Sequence, residues 1–125
     1  MSNAEYEGLS GSGGLSPRGE SFVTQDLGHV EQLAARHPGS YERIVQFDMQ
    51  PGTRQALIGN GARDRVLSST LDEAGLGDLP IIGKGDRNVV HVKGEGGAIN
   101  FGLRPGSADT FNCRILGFCT ISGGG

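Results

Sequence analysis

His91, Lys93 and Glu95 stand at alternate positions in the run Val89-Val90-His91-Val92-Lys93-Gly94-Glu95. Side chains alternate across an extended strand, so His91 and Lys93 share one face and Val90 and Val92 the other. Glu95 joins the polar face if the extended conformation persists through Gly94. An imidazole, an ammonium group and a carboxylate are then held on about 13 Å of backbone. Such a set can move protons and stabilise developing negative charge. The same alternation also writes the solvated face of any one-sided sheet. Asn100, Arg104, Ser107, Asp109, Thr110 and Asn112 follow closely enough to complete a site. A second polar cluster lies near the start, where Arg18 precedes Gly19-Glu20-Ser21-Phe22-Val23-Thr24. Ser21 and Thr24 equally suit the beginning of a strand and the cap of a helix.

Other chemistries fail on spacing. Gly77 to Lys84 is one residue too long for a phosphate-binding P-loop, and Gly85 stands where Ser or Thr must reach magnesium. Gly94, Gly96 and Gly97 have no third glycine at dinucleotide-fold spacing. His29, His37 and His91 are scattered, with no Cys/His pairs at ligand spacing, so no metal site is expected. His29 and His37 read as structural or solvated helix residues. No Gly-x-Ser-x-Gly elbow is present. The net charge of −3 counts against general nucleic-acid binding but leaves room for a nuclease with a local basic groove. Cys113 and Cys119 are too few for a disulfide framework in so small a chain and read as buried, reduced thiols.

The elements that must position these residues are short. Glycine and proline fill 28 of 125 positions, near 22%, so turns are frequent. With 35% hydrophobic and 20% charged residues the chain is nevertheless too apolar for disorder. No apolar run is long enough to span a membrane, and the first residues lack the pattern of a signal peptide. Residues 1–15 read as a flexible leader or cloning remnant, 16–121 as one folded domain, and 122–125 as a flexible tail. Ser21 to Thr24 predicts a strand. Thr24 is placed to cap a helix whose face carries Leu27, Val30, Leu33 and Ala34. Tyr41 to Met49 alternates as a strand, and Thr53 to Leu57 is a short helix. Asp64 is placed to cap another helix that ends at Gly75. Asn88 to Lys93 and Ala98 to Leu103 form a hairpin, Ser107 caps one helical turn, and Arg114 to Ile121 is the last strand. The order implies an α+β domain with N-terminal helices on a largely antiparallel sheet.

Several of these stretches together resemble the C-terminal effector domains of bacterial polymorphic toxins, including contact-dependent growth inhibition and Rhs-type systems. They are Gly19 to Thr24 with the following helix, the strand ending in Pro51-Gly52-Thr53, and Val90 to Glu95 followed by Ala98 to Arg104. The resemblance covers roughly residues 16–118. It implies a toxic enzyme carried by a larger delivery protein, acting in the target-cell cytoplasm and neutralised by a cognate immunity protein. Two chemistries are common in such toxins. The first is NAD-dependent ADP-ribosyl transfer. By resemblance Ser21 and Thr24 would form its cofactor-binding strand, with Arg18 at the NAD phosphates and Glu95 on the ribose hydroxyl. The alternative is metal-independent cleavage of tRNA or rRNA on a barnase- or EndoU-like fold. There His91 is base or acid with Glu95 as partner, Lys93 or Arg104 stabilises charge, and Thr110 or Ser107 binds phosphate. The RNase needs no cofactor, whereas the transferase consumes NAD. A non-enzymatic binding module is the third possibility. The resemblance implies an intracellular protein or RNA as the target.

Overall fold

The computed structural model describes residues 1–15, 20–36, 43–95 and 97–123. Helix α1 (Asn3–Ser12) is followed by β1 (Ser21–Thr24), α2 (Leu27–Arg36) and β2 (Arg43–Met49). Next come α3 (Thr53–Gly59), the two-residue β3 (Gly61–Ala62) and α4 (Ser69–Glu73). The chain ends with β4 (Val90–Glu95), β5 (Ala98–Leu103), α5 (Ala108–Asn112) and β6 (Ile115–Gly123). The α+β expectation holds.

Two sheets divide the strands. The first has the order β1-β5-β4-β3, and the second pairs β2 with β6. All pairings are antiparallel except β3 with β4. In the first sheet one face is apolar: Val23, Phe101 and Val92 are in register across β1, β5 and β4. Val90, Val92, Phe101 and Leu103 are at most 2% exposed and pack with Leu57, Leu71 and Phe111. Burying each such side chain contributes about 1.5–3 kcal/mol, so this layer holds the sheet in place. The other face carries two polar rows. Phe22, Gly102 and His91 are in register in one, and Thr24, Asn100 and Lys93 in the next. The predicted alternation along β4 is therefore the one the protein adopts.

Some expectations differ in instructive ways. The first fifteen residues are not a free leader. Leu9 and Leu15 are buried in the core, and the Asn112 side chain holds Leu15 through both its N–H (2.8 Å) and its carbonyl (2.7 Å). Glycines at positions 8, 11, 13 and 14 masked a helix that needs few apolar residues because only one flank is buried. Helix α2 is capped by Asp26, whose carboxylate accepts from the His29 N–H (3.0 Å). Thr24 sits one step back, its hydroxyl accepting from the Asp26 N–H (3.2 Å) and donating to the Ile99 carbonyl (3.0 Å). Helix α4 starts later than predicted because Ser68, not Asp64, caps it, accepting from the Leu71 N–H at 3.2 Å. Gly75 ends that region at φ 75°, as a C-terminal glycine does. Cys113 is an exposed free thiol rather than a buried one, because it occupies the C-cap of α5. The Cys119 side chain, His37 and the 124–125 part of the expected tail lie outside the described residues.

Candidate active site

The β4–β5 hairpin fixes the centre of the site. Its turn places Gly97 at φ 84°, a left-handed conformation that suits glycine. His91 lies on β4 beside Gly102 of β5, with Ala62 of β3 on its other side. It is only 9% exposed. Each of its ring nitrogens meets a carboxylate: Nδ1 is 2.8 Å from Glu20 Oε1, and Nε2 is 2.9 Å from Asp64 Oδ1. An ionised carboxylate only accepts, so both bonds exist together when the ring carries a proton on each nitrogen. Glu20 arrives from the residue just before β1. Its second oxygen accepts from Arg104 Nε at 2.8 Å. Asp64 comes from the loop after β3. Arg63 organises that loop by donating to the carbonyls of Gly77 and Asp64 (3.0 and 2.9 Å).

Arg104 is held as firmly as the ring. Its Nη1 donates to the Gly83 and Asp86 carbonyls at 3.2 and 2.7 Å. Its backbone N–H donates to the Ser107 hydroxyl at 2.9 Å. Ser107 is thus spent on positioning Arg104. Burial pushes the Glu20 carboxyl up, but the Arg104 guanidinium and the His91 ring outweigh it and hold the group below its ordinary range. Glu20 therefore stays ionised at neutral pH. The side chains of Glu20, His91 and Arg104 are 22, 11 and 17% exposed, whereas that of Asp64 is 49% exposed. Asp64 is the solvent-facing member of the cluster.

Gly102 makes this convergence possible. A Cβ there would lie 2.8 Å from Glu20 Cδ and 2.9 Å from Phe22 Cε1. The missing side chain lets Glu20 and Phe22 reach across β5 toward His91.

Helix α2 brings a second imidazole to the neighbouring row. His29, on the first turn of α2, faces the Asn100 carboxamide, with Nε2 3.1 Å from Nδ2. Asn100 is 5% exposed and its Oδ1 has no partner among the described residues. Adjacent same-face rows are about 7 Å apart. Exposed Lys93 stands in this second row, and its Nζ is 5.9 Å from the centroid of the Phe22 ring in the first.

Of the residues singled out in the sequence, His91 and Arg104 come together through Glu20, and Lys93 lies one row along the same face. Glu95 is exposed at the far end of β4, opposite Ala98, and Glu20 and Asp64 take the place expected of it beside His91. Ser21 is in register with Leu103, on the face opposite Thr24. Thr110 lies on α5, whose Ala108 and Phe111 are buried, outside the His91 cluster. Arg18 lies outside the described residues. Glu20, Asp64 and His29 are the members that spacing alone missed, since they join β4 and β5 from 71, 27 and 71 residues away. Among the described residues no group of His, Cys, Asp and Glu is placed to hold a metal ion.

The model of the PT3 toxin domain matches residues 1–120. The chain belongs to the PT3 toxin domain family. It is an effector domain of the polymorphic-toxin kind, and the match takes in α1 as well as the two sheets. A comparison with curated proteins gave no match. Among the described residues no helix of this toxin domain is long and apolar enough to cross a membrane.

Proposed function

We propose that this toxin domain cleaves RNA by acid–base transfer of a phosphodiester to the neighbouring 2′-hydroxyl. The observation that carries the reading is the polar face of the first sheet, where His91 stands on β4, His29 of α2 reaches Asn100 in the next row, and Lys93 is exposed in that same row. One imidazole takes the 2′-hydroxyl proton as that oxygen attacks phosphorus. The other donates a proton to the departing 5′-oxygen, leaving a 2′,3′-cyclic phosphate and a 5′-hydroxyl. Lys93 and Arg104 stabilise the charge that builds on the non-bridging oxygens. Glu20 is the positioning residue that fixes the His91 ring through Nδ1; solvent-facing Asp64 must give up Nε2 for that nitrogen to reach the substrate, and Asn100 positions His29. The substrate reaches the His91 ring from the solvent side by displacing half-exposed Asp64 from Nε2.

ADP-ribosyl transfer has less support. Ser21 and Thr24 are on opposite faces of β1, the Thr24 hydroxyl is already bonded twice, and Glu95 stands away from the cluster. As a toxin domain the chain is delivered by a larger protein, acts in the cytoplasm of the target cell, and meets a cognate immunity protein in its producer. Induced expression in bacteria tests the reading. Growth arrest with discrete tRNA or rRNA fragments, relieved by His91→Ala, is expected. Arrest with intact RNA and transfer of label from NAD to protein would establish the transferase instead. Normal growth with verified soluble protein would overturn the toxic activity altogether.

A further inference from the structure

The geometry points to a nucleobase-binding subsite on Phe22, so that the substrate is an unpaired nucleotide beside the scissile phosphate. This rests on the RNA-cleaving reading and narrows it from RNA to single-stranded or looped RNA. Phe22 is 47% exposed although it belongs to the same row as buried His91. Its ring centroid lies 6.0 Å from that of His91, at an interplanar angle of 53°. The ring leans over Gly102, the residue between them, where a Cβ would come within 2.9 Å of Cε1. Nothing in β5 therefore stands between the aromatic surface and the acid–base cluster. Lys93 Nζ lies 5.9 Å from the ring centroid. A cation there can pair with a phosphate while a base stacks on the ring.

A half-exposed Phe alone is common on protein surfaces. What distinguishes this ring is its setting, with an imidazole on one side, the exposed Lys93 ammonium group on another and a glycine beneath. Stacking tolerates any base, because each has a π face, and it fixes the nucleotide without reading its edges. A base inside a duplex is already stacked on its neighbours and is unavailable to the ring. Unpaired nucleotides are therefore the substrate that this face accepts.

Fluorescence anisotropy with a labelled single-stranded oligoribonucleotide, 2′-O-methylated to block cleavage, tests the subsite. Cleavage of a hairpin loop and of a duplex of the same sequence is measured alongside. Phe22→Leu keeps the apolar volume and the fold but removes the π face, and Phe22→Trp enlarges it. Phe22→Leu is expected to weaken binding about 5- to 100-fold. Phe22→Trp is expected to bind at least as tightly as the wild type, and cleavage is expected to fall in the loop and not in the duplex. A wild type that cleaves RNA while Phe22→Leu binds equally well overturns the subsite alone, as does equal cleavage of duplex and loop. A wild type that neither binds nor cleaves overturns the catalytic reading and this subsite with it.

Discussion

Replacing Glu20 with Gln keeps the shape of the side chain and removes its charge. One carboxylate oxygen now accepts from His91 Nδ1 and the other from Arg104 Nε, both at 2.8 Å. The amide retains one acceptor and gains a donor, so it can serve Arg104 together with a neutral His91 ring but not with a ring protonated on both nitrogens, and the surviving bonds lose their charge assistance. A hydrogen bond to a charged group contributes about 1.5–3 kcal/mol, and breaking a fully buried ion pair costs about 3–5 kcal/mol. Here the loss is smaller than that upper range, because Arg104 keeps two backbone carbonyls and His91 keeps Asp64. The expected destabilisation is about 2–3 kcal/mol, or roughly 8–12 °C in Tm for a chain of this size. The sequence has no Trp and two Tyr, so far-UV circular dichroism is the suitable readout.

The effect of Glu20→Gln also depends on pH, with a definite sign. The Glu20 carboxyl is held below its ordinary range in the folded protein. A depressed acid contributes stability that is present above the unfolded value, about 4.3, and lost as pH falls through the lower folded value. The gap between wild type and Glu20→Gln should therefore be full at pH 7 and shrink below about pH 4. A variant within 0.5 kcal/mol of wild type at pH 7 would refute the reasoning. So would a gap that stays constant down to pH 3.

Three further outcomes are expected. Leu9→Ala, at a position 1% exposed, should cost about 2–5 kcal/mol in urea unfolding if α1 is part of the folded core; a free leader would give no change. Gly102→Ala should lower Tm and displace Glu20, since its Cβ would come within 2.9 Å of both Glu20 and Phe22; an unaltered melt and an unaltered His91 NMR signal would contradict that placement. Lys93→Ala should change Tm little, because the residue is exposed, yet slow RNA cleavage at least tenfold, with partial recovery in Lys93→Arg. Unchanged cleavage would remove Lys93 from the mechanism.

The strands were legible because their local pattern suffices. Ser21–Thr24 and Ala98–Leu103 begin and end where propensity and the flanking glycines and prolines put them. The polar face of β4 was legible for the same reason, since alternation alone separates His91 and Lys93 from Val90 and Val92. The partners of His91 were not. Asp64 has the local signature of a helix cap, and Ser68 competes for that role from four residues later and takes it. Glu20 precedes a strand in a glycine-rich stretch and gives no sign of pairing with a residue 71 positions away. His29 sits where a helix needs polar residues, so its place over Asn100 follows only from the packing of α2 on the sheet. Helix α1 was hidden by composition, because Gly8, Gly11, Gly13 and Gly14 suggest a linker while Leu9 and Leu15 do the anchoring. Local periodicity specifies elements, whereas convergence of side chains from four of them depends on how the sheet is assembled.

The central claim is that the His91 face cleaves RNA through the 2′-hydroxyl. The most direct measurement uses the purified chain with two oligonucleotides, one all deoxyribose and one with a single ribonucleotide in the same sequence. The ribonucleotide-containing strand should be cut only on the 3′ side of that residue, leaving a 2′,3′-cyclic phosphate, and His91→Ala should abolish the cut. Cleavage of the all-deoxy strand, or no cleavage of either by folded protein, would contradict it.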